Sequence, residues 1–536
     1  MGKYIFITGG VLSSLGKGVT SASIGTILER LGYKITFLKL DPYLNIDPGT
    51  MNPYQHGEVY VTEDGAETDL DLGHYERFTN TVLSRKNNTT SGRLYNQLLD
   101  KERKGQFLGE TVQVVPHFIE EIISAIEEAA EGSDVALIEI GGTVGDIESL
   151  PFLEAIRQLG MRLDKKDHIY IHLTYIPYVK VAGELKTKPT QHSVKELRAI
   201  GIQPDILICR AEKEIGQNIK KKLSLFTNVN ENAVLSAPDV DIIYRLPVYL
   251  KGEGLDKIIA EALDLDYKEP DLTDWENIVN ILANLKDSVD IAIVGKYIEL
   301  KDAYKSIIEA FTHSQIENRV KVNLHWVDSG QLTEENIDNY LKDMDGILVP
   351  GGFGERGIEG KILTAKYARE NNIPYFGICL GMQVAVVEFA RNVIGWEDAN
   401  STEFNPNTKH PVIDLMPEQK NIDKKGGTMR LGAYACKLID GTKARDIYGK
   451  ELIFERHRHR YEFNPQFREE FENNGLVISG VNPDRDLVEI IELPNHRWFI
   501  ACQFHPEFKS KPLAPHPLFV DFVKNSYKYK LEKENN

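Results

Sequence analysis

The stretch Tyr4-Ile-Phe-Ile-Thr8, then Gly9-Gly-Val-Leu-Ser-Ser-Leu-Gly-Lys-Gly-Val-Thr20, then an amphipathic run to Leu31, decides the fold of the first half of the chain. The apolar run reads as a buried strand, the glycine-containing segment as a loop, and Thr20–Leu31 as a helix. Working outward, Lys34–Leu40, Val135–Ile140, Ile169–Thr174 and Ile206–Cys209 read as further buried strands, and Pro116–Glu131 as another helix. Strands alternating with helices imply a mostly parallel sheet, hence an α/β fold. A strand–loop–helix carrying Gly16-Lys17 suits a phosphate. Backbone N–H groups and the helix dipole cradle it, and Lys17 reaches its outer oxygens. The spacing departs from the standard P-loop: five residues separate Gly10 from Gly16, and Gly18 stands where Ser or Thr usually holds magnesium. A glycine loop without nucleotide is the bland alternative. Magnesium then needs carboxylates from elsewhere. Glu63-Asp-Gly-Ala-Glu-Thr-Asp-Leu-Asp71 is an acidic cluster, most of which reads as solvated surface. Glu139 ends an apolar strand, where a carboxylate faces the ligand crevice of an open α/β sheet.

Strand-like regularity fades after Leu265. The polar, proline-broken Asp266-Tyr-Lys-Glu-Pro-Asp-Leu-Thr-Asp-Trp275 and a helix to about Lys286 read as a linker. Asp290-Ile-Ala-Ile-Val-Gly295 opens a second series, with strands at Val320–Val327, Gly346–Val349, Pro374–Cys379, Leu476–Val481, Leu487–Leu493 and Trp498–Phe504. The sequence thus predicts two α/β domains, 1–266 and 288–536, joined by 267–287, with a mobile loop over Asn400–Gly427. Gly377-Ile-Cys-Leu-Gly381 has the form of a nucleophile elbow with Cys379 in place of serine, and a helix N-terminus there favours a thiolate. Gln503-Phe-His-Pro-Glu507 ends another strand, where alternation would turn His505 and Glu507 to one face as base and orienter. Pro350-Gly-Gly-Phe-Gly354 suits an oxyanion hole, with Leu380 giving the second N–H. Cys209, Cys436 and Cys502 lack such surroundings and read as structural.

Of 536 residues, 42% are hydrophobic and 27% charged, which excludes fibrous and disordered classes. No run approaches the roughly 18 apolar residues of a membrane span. The N-terminus lacks the pattern of a signal peptide, and Phe6 occupies the place where myristoylation wants Ser or Thr. Four cysteines cannot frame a fold of this length, which points to a reducing cytoplasm. A net charge of −17 argues against binding nucleic acid polymers.

Pro350–Gly354, Gly377–Gln383 and His505-Pro-Glu507 resemble class I glutamine amidotransferases. In the first half, Ser13–Gly18, Lys39-Leu-Asp-Pro-Tyr-Leu-Asn-Ile-Asp47, Tyr54-Gln-His-Gly-Glu-Val59, Thr68-Asp-Leu-Asp-Leu-Gly-His-Tyr-Glu76 and Lys186-Thr-Lys-Pro-Thr-Gln191 complete a resemblance, end to end, to the CTP synthase family. That resemblance implies a P-loop, dethiobiotin-synthetase-like amidoligase domain and a flavodoxin-like glutaminase domain. The activity implied is ATP-dependent amination of UTP to CTP, through a 4-phosphorylated UTP, with channelled ammonia from L-glutamine. Cys379, His505 and Glu507 would be catalytic. Ser14, Leu15, Gly16, Lys17, Gly18 and Val19 would contact ATP, with Val240 against adenine. Asp71, also beside ATP, and Glu139 would hold Mg2+. Ser13, Lys186, Thr187, Lys188, Pro189, Thr190, Gln191 and Lys222 would face UTP. Asp146, Ile147 and Glu148 would meet the base end of CTP, a feedback inhibitor. Gly352, Leu380, Gly381, Met382, Gln383, Glu403 and Arg460 would hold glutamine. Lys39 would steady the phosphorylated intermediate, and Arg356 would serve GTP, an activator. Arg456-His-Arg-His-Arg460 alone reads as a solvated basic patch. The family's homotetramers, filaments and cytoplasmic location carry over as expectations. An amidoligase acting on a carboxylate would lack a use for Lys186–Gln191 and Asp146–Glu148. A partitioning-type ATPase would leave Cys379, His505 and Glu507 without purpose.

Overall fold

A computed structural model of the chain describes residues 2–296, 298–416 and 427–535. It divides into two compact units, one of Met1–Pro48 with Thr68–Asn280, the other of Gly49–Glu67 with Ile281–Asn536. The second unit therefore borrows a segment from within the first half, which a contiguous reading of the sequence does not anticipate.

In the first unit, seven strands form one sheet: β1 (Lys3–Gly9), β2 (Ile35–Asp41), β3 (Asn88–Thr90), β4 (Val135–Ile140), β5 (His168–Tyr175), β6 (Ile206–Ala211) and β7 (Val234–Pro238). Their order is β7-β6-β5-β1-β4-β2-β3, and every pairing is parallel. The two edge strands are short, and β3 is polar, so neither carries the long apolar run by which the inner strands announce themselves. Because all strands run one way, their C-terminal ends share one edge, and the loops leaving β1, β4, β5, β6 and β7 gather there. Helix α1 (Lys17–Leu31) starts three residues before its apolar periodicity does, and Gly16 precedes it at φ 88°. Helix α2 (Asp71–Phe78) packs on α1, and α3 (Lys188–Ala199) follows β5. The expected helix at Pro116–Glu131 is regular over Ile119–Ala130. In the stretch read as a linker, α4 (Thr273–Ala283) buries Trp275 against Phe78 and Tyr244, so part of it belongs to the packing of the first unit.

The second unit is built on a nine-stranded sheet. Its strands are β8 (Asp287–Gly295), β9 (Val320–Asp328), β10 (Gly346–Val349), β11 (Tyr375–Ile378), β12 (Arg430–Leu438), β13 (Leu452–His459), β14 (Val477–Val481), β15 (Val488–Glu492) and β16 (Phe499–Cys502). The order is β9-β8-β10-β11-β16-β15-β14-β12-β13, parallel as far as β16 and antiparallel beyond it. Val349 of β10 pairs with Gly377 of β11, and Ile378 of β11 with Cys502 of β16. Three neighbouring strands thus end together, and the segments leaving them, 350–354, 379–380 and 503–507, converge. Helices α5 (Lys305–Asn318), α6 (Ile358–Glu370) and α7 (Leu380–Phe389) cover the sheet.

Strands β12 and β13 correct the sequence reading. Arg456–Arg460 is not a solvated patch: Arg456 and His459 are buried in and beside β13, and Arg456 donates to Glu63, Tyr60 and the Val61 carbonyl. Charge in this strand is neutralised by partners, so its hydropathy hides its burial. The expected mobile loop at Asn400–Gly427 is likewise ordered at its start, where Asn400–Ser401 and Pro411–Leu415 join Tyr461–Phe463 in a three-stranded sheet. Residues 417–426 of that loop lie outside the described residues. No helix among the described residues is long and apolar enough to cross a membrane.

Candidate active sites

At the C-terminal end of β1 the chain makes a tight loop in which Val11 (φ 80°) and Ser14 (φ 54°) adopt left-handed backbone, a conformation non-glycine residues hold only when their surroundings impose it. The turn after β4 is tied to this loop by Val144 N donating to Gly9 O at 2.8 Å, and Lys17 Nζ donates to Gly142 O at 2.9 Å. Burial pulls the Lys17 amine below its ordinary range, against the pull of Glu139.

Behind the loop lies a buried cluster of charge. Lys39 bonds to Asp71 and lies 3.3 Å from Glu139, 3.4 Å from Asp69 and 3.8 Å from Asp41. Burial alone would lower the Lys39 amine, but these carboxylates together hold it well above its ordinary value, so it stays charged. Glu139 also accepts from Ser21 Oγ and Tyr75 OH, both at 2.7 Å. Gly18 permits this arrangement: a Cβ there would stand 1.9 Å from Asp71 Oδ1. The missing P-loop hydroxyl is therefore replaced, in space, by a carboxylate. The acidic run Glu63–Asp71 is divided, with Glu63 and Glu67 paired to Arg456 and Arg458 of the second unit and Asp69 and Asp71 facing Lys39. Asp71 and Glu139 are hard oxygen donors beside a phosphate-type loop, and that donor set fits Mg2+ sharing its remaining positions with phosphate oxygens. Among the described residues no group of three or more His, Cys, Asp or Glu has metal-holding geometry, so the nucleotide would have to complete the shell.

Two residues of this site escaped the sequence reading. Arg210, at the end of β6, donates to Leu15 O at 2.9 Å and to Asp239 at 2.9 Å, and so ties the glycine loop after β1 to the segment carrying Val240. His172 lies between Thr8 Oγ1 at 2.8 Å and Ser193 Oγ at 2.9 Å; burial, reinforced by Lys17, drops its imidazole to about 3, so it is neutral. A Cβ on Gly10 would meet Ser193 Oγ at 1.6 Å, so α3 packs directly on the loop. Thr187, Thr190 and Gln191 are buried at the start of α3, whereas Lys188 is exposed there, and Pro189 is its second residue. Ser13, Asp146, Ile147, Glu148 and Lys222 are exposed, Lys186 and Val240 half-buried. These residues share the unit and its loop edge, yet the bonds just described do not include them.

In the second unit Cys379 sits between β11 and α7 at φ 53° and ψ −103°, a strained turn for a residue with a side chain. Its N–H donates to Cys502 O at 2.7 Å. Glycine is required on both sides: a Cβ on Gly377 would lie 2.7 Å from the Gly381 carbonyl, and one on Gly381 2.0 Å from Val349 O. The first helical N–H groups, at Leu380 and Gly381, fall in the turn where an α-helix leaves its donors free. His505 Nδ1 and Glu507 Oε1 are 2.7 Å apart. They do not achieve this by strand alternation, as the sequence suggested: β16 ends at Cys502, and His505 caps a 3-10 turn, Pro506–Lys509, that folds Glu507 back onto it. Burial alone would lower the His505 imidazole, but Glu507 and the adjoining Cys379 thiol raise it to about 10. The loop Pro350–Gly354 passes over the pair, since a Cβ on Gly351 would touch His505 Cε1 at 2.9 Å and stand 3.6 Å from Cys379 Cβ.

A cavity of about 400 Å³ opens from Cys379 between Gly352, Leu380, Gln383, Glu403 and Arg460. Gly381 and Met382, expected at this pocket, are buried in the first turn of α7 between its lining residues Leu380 and Gln383. Glu403 accepts from Gly354 N at 3.1 Å, and burial raises its carboxyl. Arg460 donates to Thr428 at 3.0 Å. A second cavity, of about 360 Å³, meets Cys379 from the side of Gly57–Val59 and Ile307. Here too the sequence reading missed participants. Gln503 Nε2 donates to Cys379 Sγ at 3.7 Å, and its Oε1 accepts from Gln383 at 3.3 Å. Arg458 donates to Glu67 at 2.8 Å and to Gly49 O at 2.9 Å, and its own carbonyl lies 3.9 Å from Cys379 Sγ. Arg356 donates to Lys296 O, and Lys296 to Phe353 O.

Residues 3–265 match the family described as CTP synthase N-terminus, and residues 299–525 the family described as glutamine amidotransferase class-I. A CTP synthase of Hydrogenobaculum sp. (strain Y04AAS1) is 66% identical over 531 residues, covering 99% of each chain. A CTP synthase of Methanocaldococcus jannaschii is 58% identical over 536 residues, again covering 99% of each. A solved structure of the glutaminase domain of Trypanosoma brucei CTPS, with bound acivicin, is 45% identical and covers 45% of this chain and 94% of its own, at a TM-score of 0.43.

Proposed function

Since the chain belongs to the CTP synthase family, glutamine-hydrolysing ligases that form CTP, we propose that its two sites divide the work as follows. The thiol site of the second unit releases ammonia from glutamine. The phosphate-loop site of the first activates UTP with ATP and accepts that ammonia at C4. What supports the first half most is the Cys379 elbow set against a His505–Glu507 pair, 2.7 Å apart, all three in the wall of the cavity of about 360 Å³.

Cys379 Sγ, as thiolate, attacks the side-chain amide carbon. The S–C bond forms as the C=O π bond opens, and the oxygen takes the charge among the N–H groups of Leu380 and the 351–352 loop. His505, held as imidazolium by Glu507, gives its proton to the departing nitrogen, and ammonia leaves. Water, deprotonated by His505, then cleaves the thioester to glutamate and restores the thiol. Glu403 and Arg460 orient the amino-acid end of glutamine, and Gln383 and Gln503 position the reacting end.

In the first unit the C4 oxygen of UTP attacks the γ-phosphorus of ATP, so that phosphate, a far better leaving group than oxide, departs when ammonia adds. One ATP, one UTP, one glutamine and one water give ADP, phosphate, CTP and glutamate. Lys17 and the N–H groups of 14–19 bind the transferring phosphates. Mg2+, when held by Asp71 and Glu139, supplies neutralising charge to those oxygens. Ser13, Lys186–Gln191 and Lys222 bind UTP, and Val240 lies against adenine. Lys39 steadies the phosphorylated intermediate. CTP inhibits by sharing the triphosphate pocket while placing its base at Asp146–Glu148. GTP activates at the glutaminase, with Arg356 a contact. The protein works as a cytoplasmic homotetramer, and the ammonia released at the thiol site is consumed at the phosphate-loop site.

The test uses two nitrogen sources. Cys379→Ala is expected to lose glutamine-dependent CTP formation by at least about a thousandfold while keeping synthesis from ammonium chloride. Lys17→Ala is expected to lose both. A folded Cys379→Ala protein inactive with ammonia, or a Lys17→Ala protein active with it, refutes the division of labour.

A further inference from the structure

Lys361 lies near the start of α6 with its side chain turned inward, 1% exposed. Its Nζ stands 3.6 Å from the point where a Cβ on Gly352 would be, directly against the 350–354 loop. Two other buried cations of this unit have acidic partners: Arg430 binds Glu462 and Glu489, and Arg456 binds Glu63. Lys361 has none among the described residues; the charged groups that act on it are Lys296, a like charge, and the Cys379 thiol. Burial without a counter-ion is costly, and a methionine would fill the same space without that cost.

We propose that Lys361 is an electrostatic positioning residue of the thiol site, its buried positive charge acting through the Gly351–Gly352 loop on the negative charge that passes from Cys379 Sγ to the amide oxygen. This rests on the reading of Cys379 as nucleophile. Burial, then Lys296, draw the Lys361 amine down to about 7, whereas negative charge at Cys379 pushes it back up. The ammonium is therefore held most firmly when the thiolate or the oxyanion is present. No proton leaves Lys361: the proton given to the departing nitrogen is that of His505. Lys296 also meets this loop, but further along it, donating to Phe353 O, whereas Lys361 is the ammonium against Gly352.

The experiment compares full-length Lys361→Met, which keeps bulk, and Lys361→Gln, which keeps a polar end, with wild type and Cys379→Ala. Four quantities are read: kcat and KM for glutamine hydrolysis, CTP formation from ammonium chloride, and the unfolding temperature. Both Lys361 variants are expected to lower glutaminase kcat on the order of ten- to a hundredfold, with KM held within about threefold. Ammonia-supported synthesis is expected to stay within about twofold. Lys361→Met should unfold at a higher temperature than wild type, because it removes an unpaired buried charge. Wild-type glutaminase in either variant overturns the inference, and so does a lower unfolding temperature with loss of both activities, which would make the lysine structural. If Cys379→Ala hydrolyses glutamine, the nucleophile reading falls and takes this one with it. If Cys379→Ala is inactive while the Lys361 variants are not, only the role of Lys361 falls.

Discussion

Gly18→Ala probes the phosphate loop at the position where it departs from the P-loop pattern. A Cβ there would stand 1.9 Å from Asp71 Oδ1 and 2.5 Å from its Cγ. Two effects oppose each other. Alanine favours a helix over glycine by up to about 1 kcal/mol, and by less in the first turn. Against this, Asp71 must swing away, although Lys39 and its place at the start of α2 hold it. Overpacking of this kind costs roughly 1–3 kcal/mol. The clash therefore wins by up to about 2 kcal/mol, which lowers the unfolding temperature of a unit this size by a few degrees, at roughly 2–4 °C per kcal/mol. The effect on activity is larger. Removing the Asp71 carboxylate from the Lys39–Glu139 cluster by an ångström or more is expected to cost at least about a hundredfold in CTP formation from ammonia. The assay follows ultraviolet absorbance of CTP with ammonium chloride as nitrogen source, and glutamate release separately. Glutamate release without nucleotides should not change. Gly18→Ser should fail as badly, although it restores the P-loop residue, because the Cβ and not the hydroxyl collides. Near-normal synthesis in either variant would refute the argument that Asp71 needs this space.

Glu507→Gln removes the group that most raises the His505 imidazole from the ordinary histidine value towards about 10, so glutamine-dependent activity should fall by roughly 10²–10⁴-fold with ammonia-dependent activity retained. The same variant has a stability signature. A histidine raised on folding contributes stability that is complete below its unfolded pKa and fades as pH rises through its folded value. The unfolding-temperature gap between wild type and Glu507→Gln should therefore be widest near pH 6 and shrink towards pH 10; a gap that widens with pH would contradict it. Glu148→Ala should weaken inhibition by CTP about ten- to a hundredfold while moving the KM for UTP little, as expected for loss of a charged hydrogen bond made to one ligand. Equal weakening for both nucleotides would put Glu148 in the shared pocket.

Much of the fold is legible in the chain because parallel strands buried on both faces write continuous apolar runs. β1, β4 and β10 were readable for that reason within a residue or two. β12 and β13 were not, because Arg430, Glu455, Arg456 and His457 carry polarity into the interior, where Arg430 pairs with Glu462 and Glu489, Glu455 with His516 and Arg456 with Glu63, all outside these two strands. The same reason hid Gln503 and Arg210. Each acts through a partner more than a hundred residues away, Cys379 in one case and Leu15 in the other, and no local pattern records such a bond.

What the sequence determined by itself is therefore local: a strand–loop–helix with glycines and Lys17, an elbow made by Gly377, Cys379 and Gly381, and the family that the two together resemble. These are short-range, since a turn's geometry is set by residues within it. Tertiary structure alone decided how the acidic run Glu63–Asp71 is divided, that a 3-10 turn rather than a strand joins His505 to Glu507, that Gly18 makes room for Asp71, and that Lys361 is buried against Gly352 with no counter-ion among the described residues. Each of those is a relation of burial and charge between segments far apart in the chain, and burial comes into existence only when the segments pack.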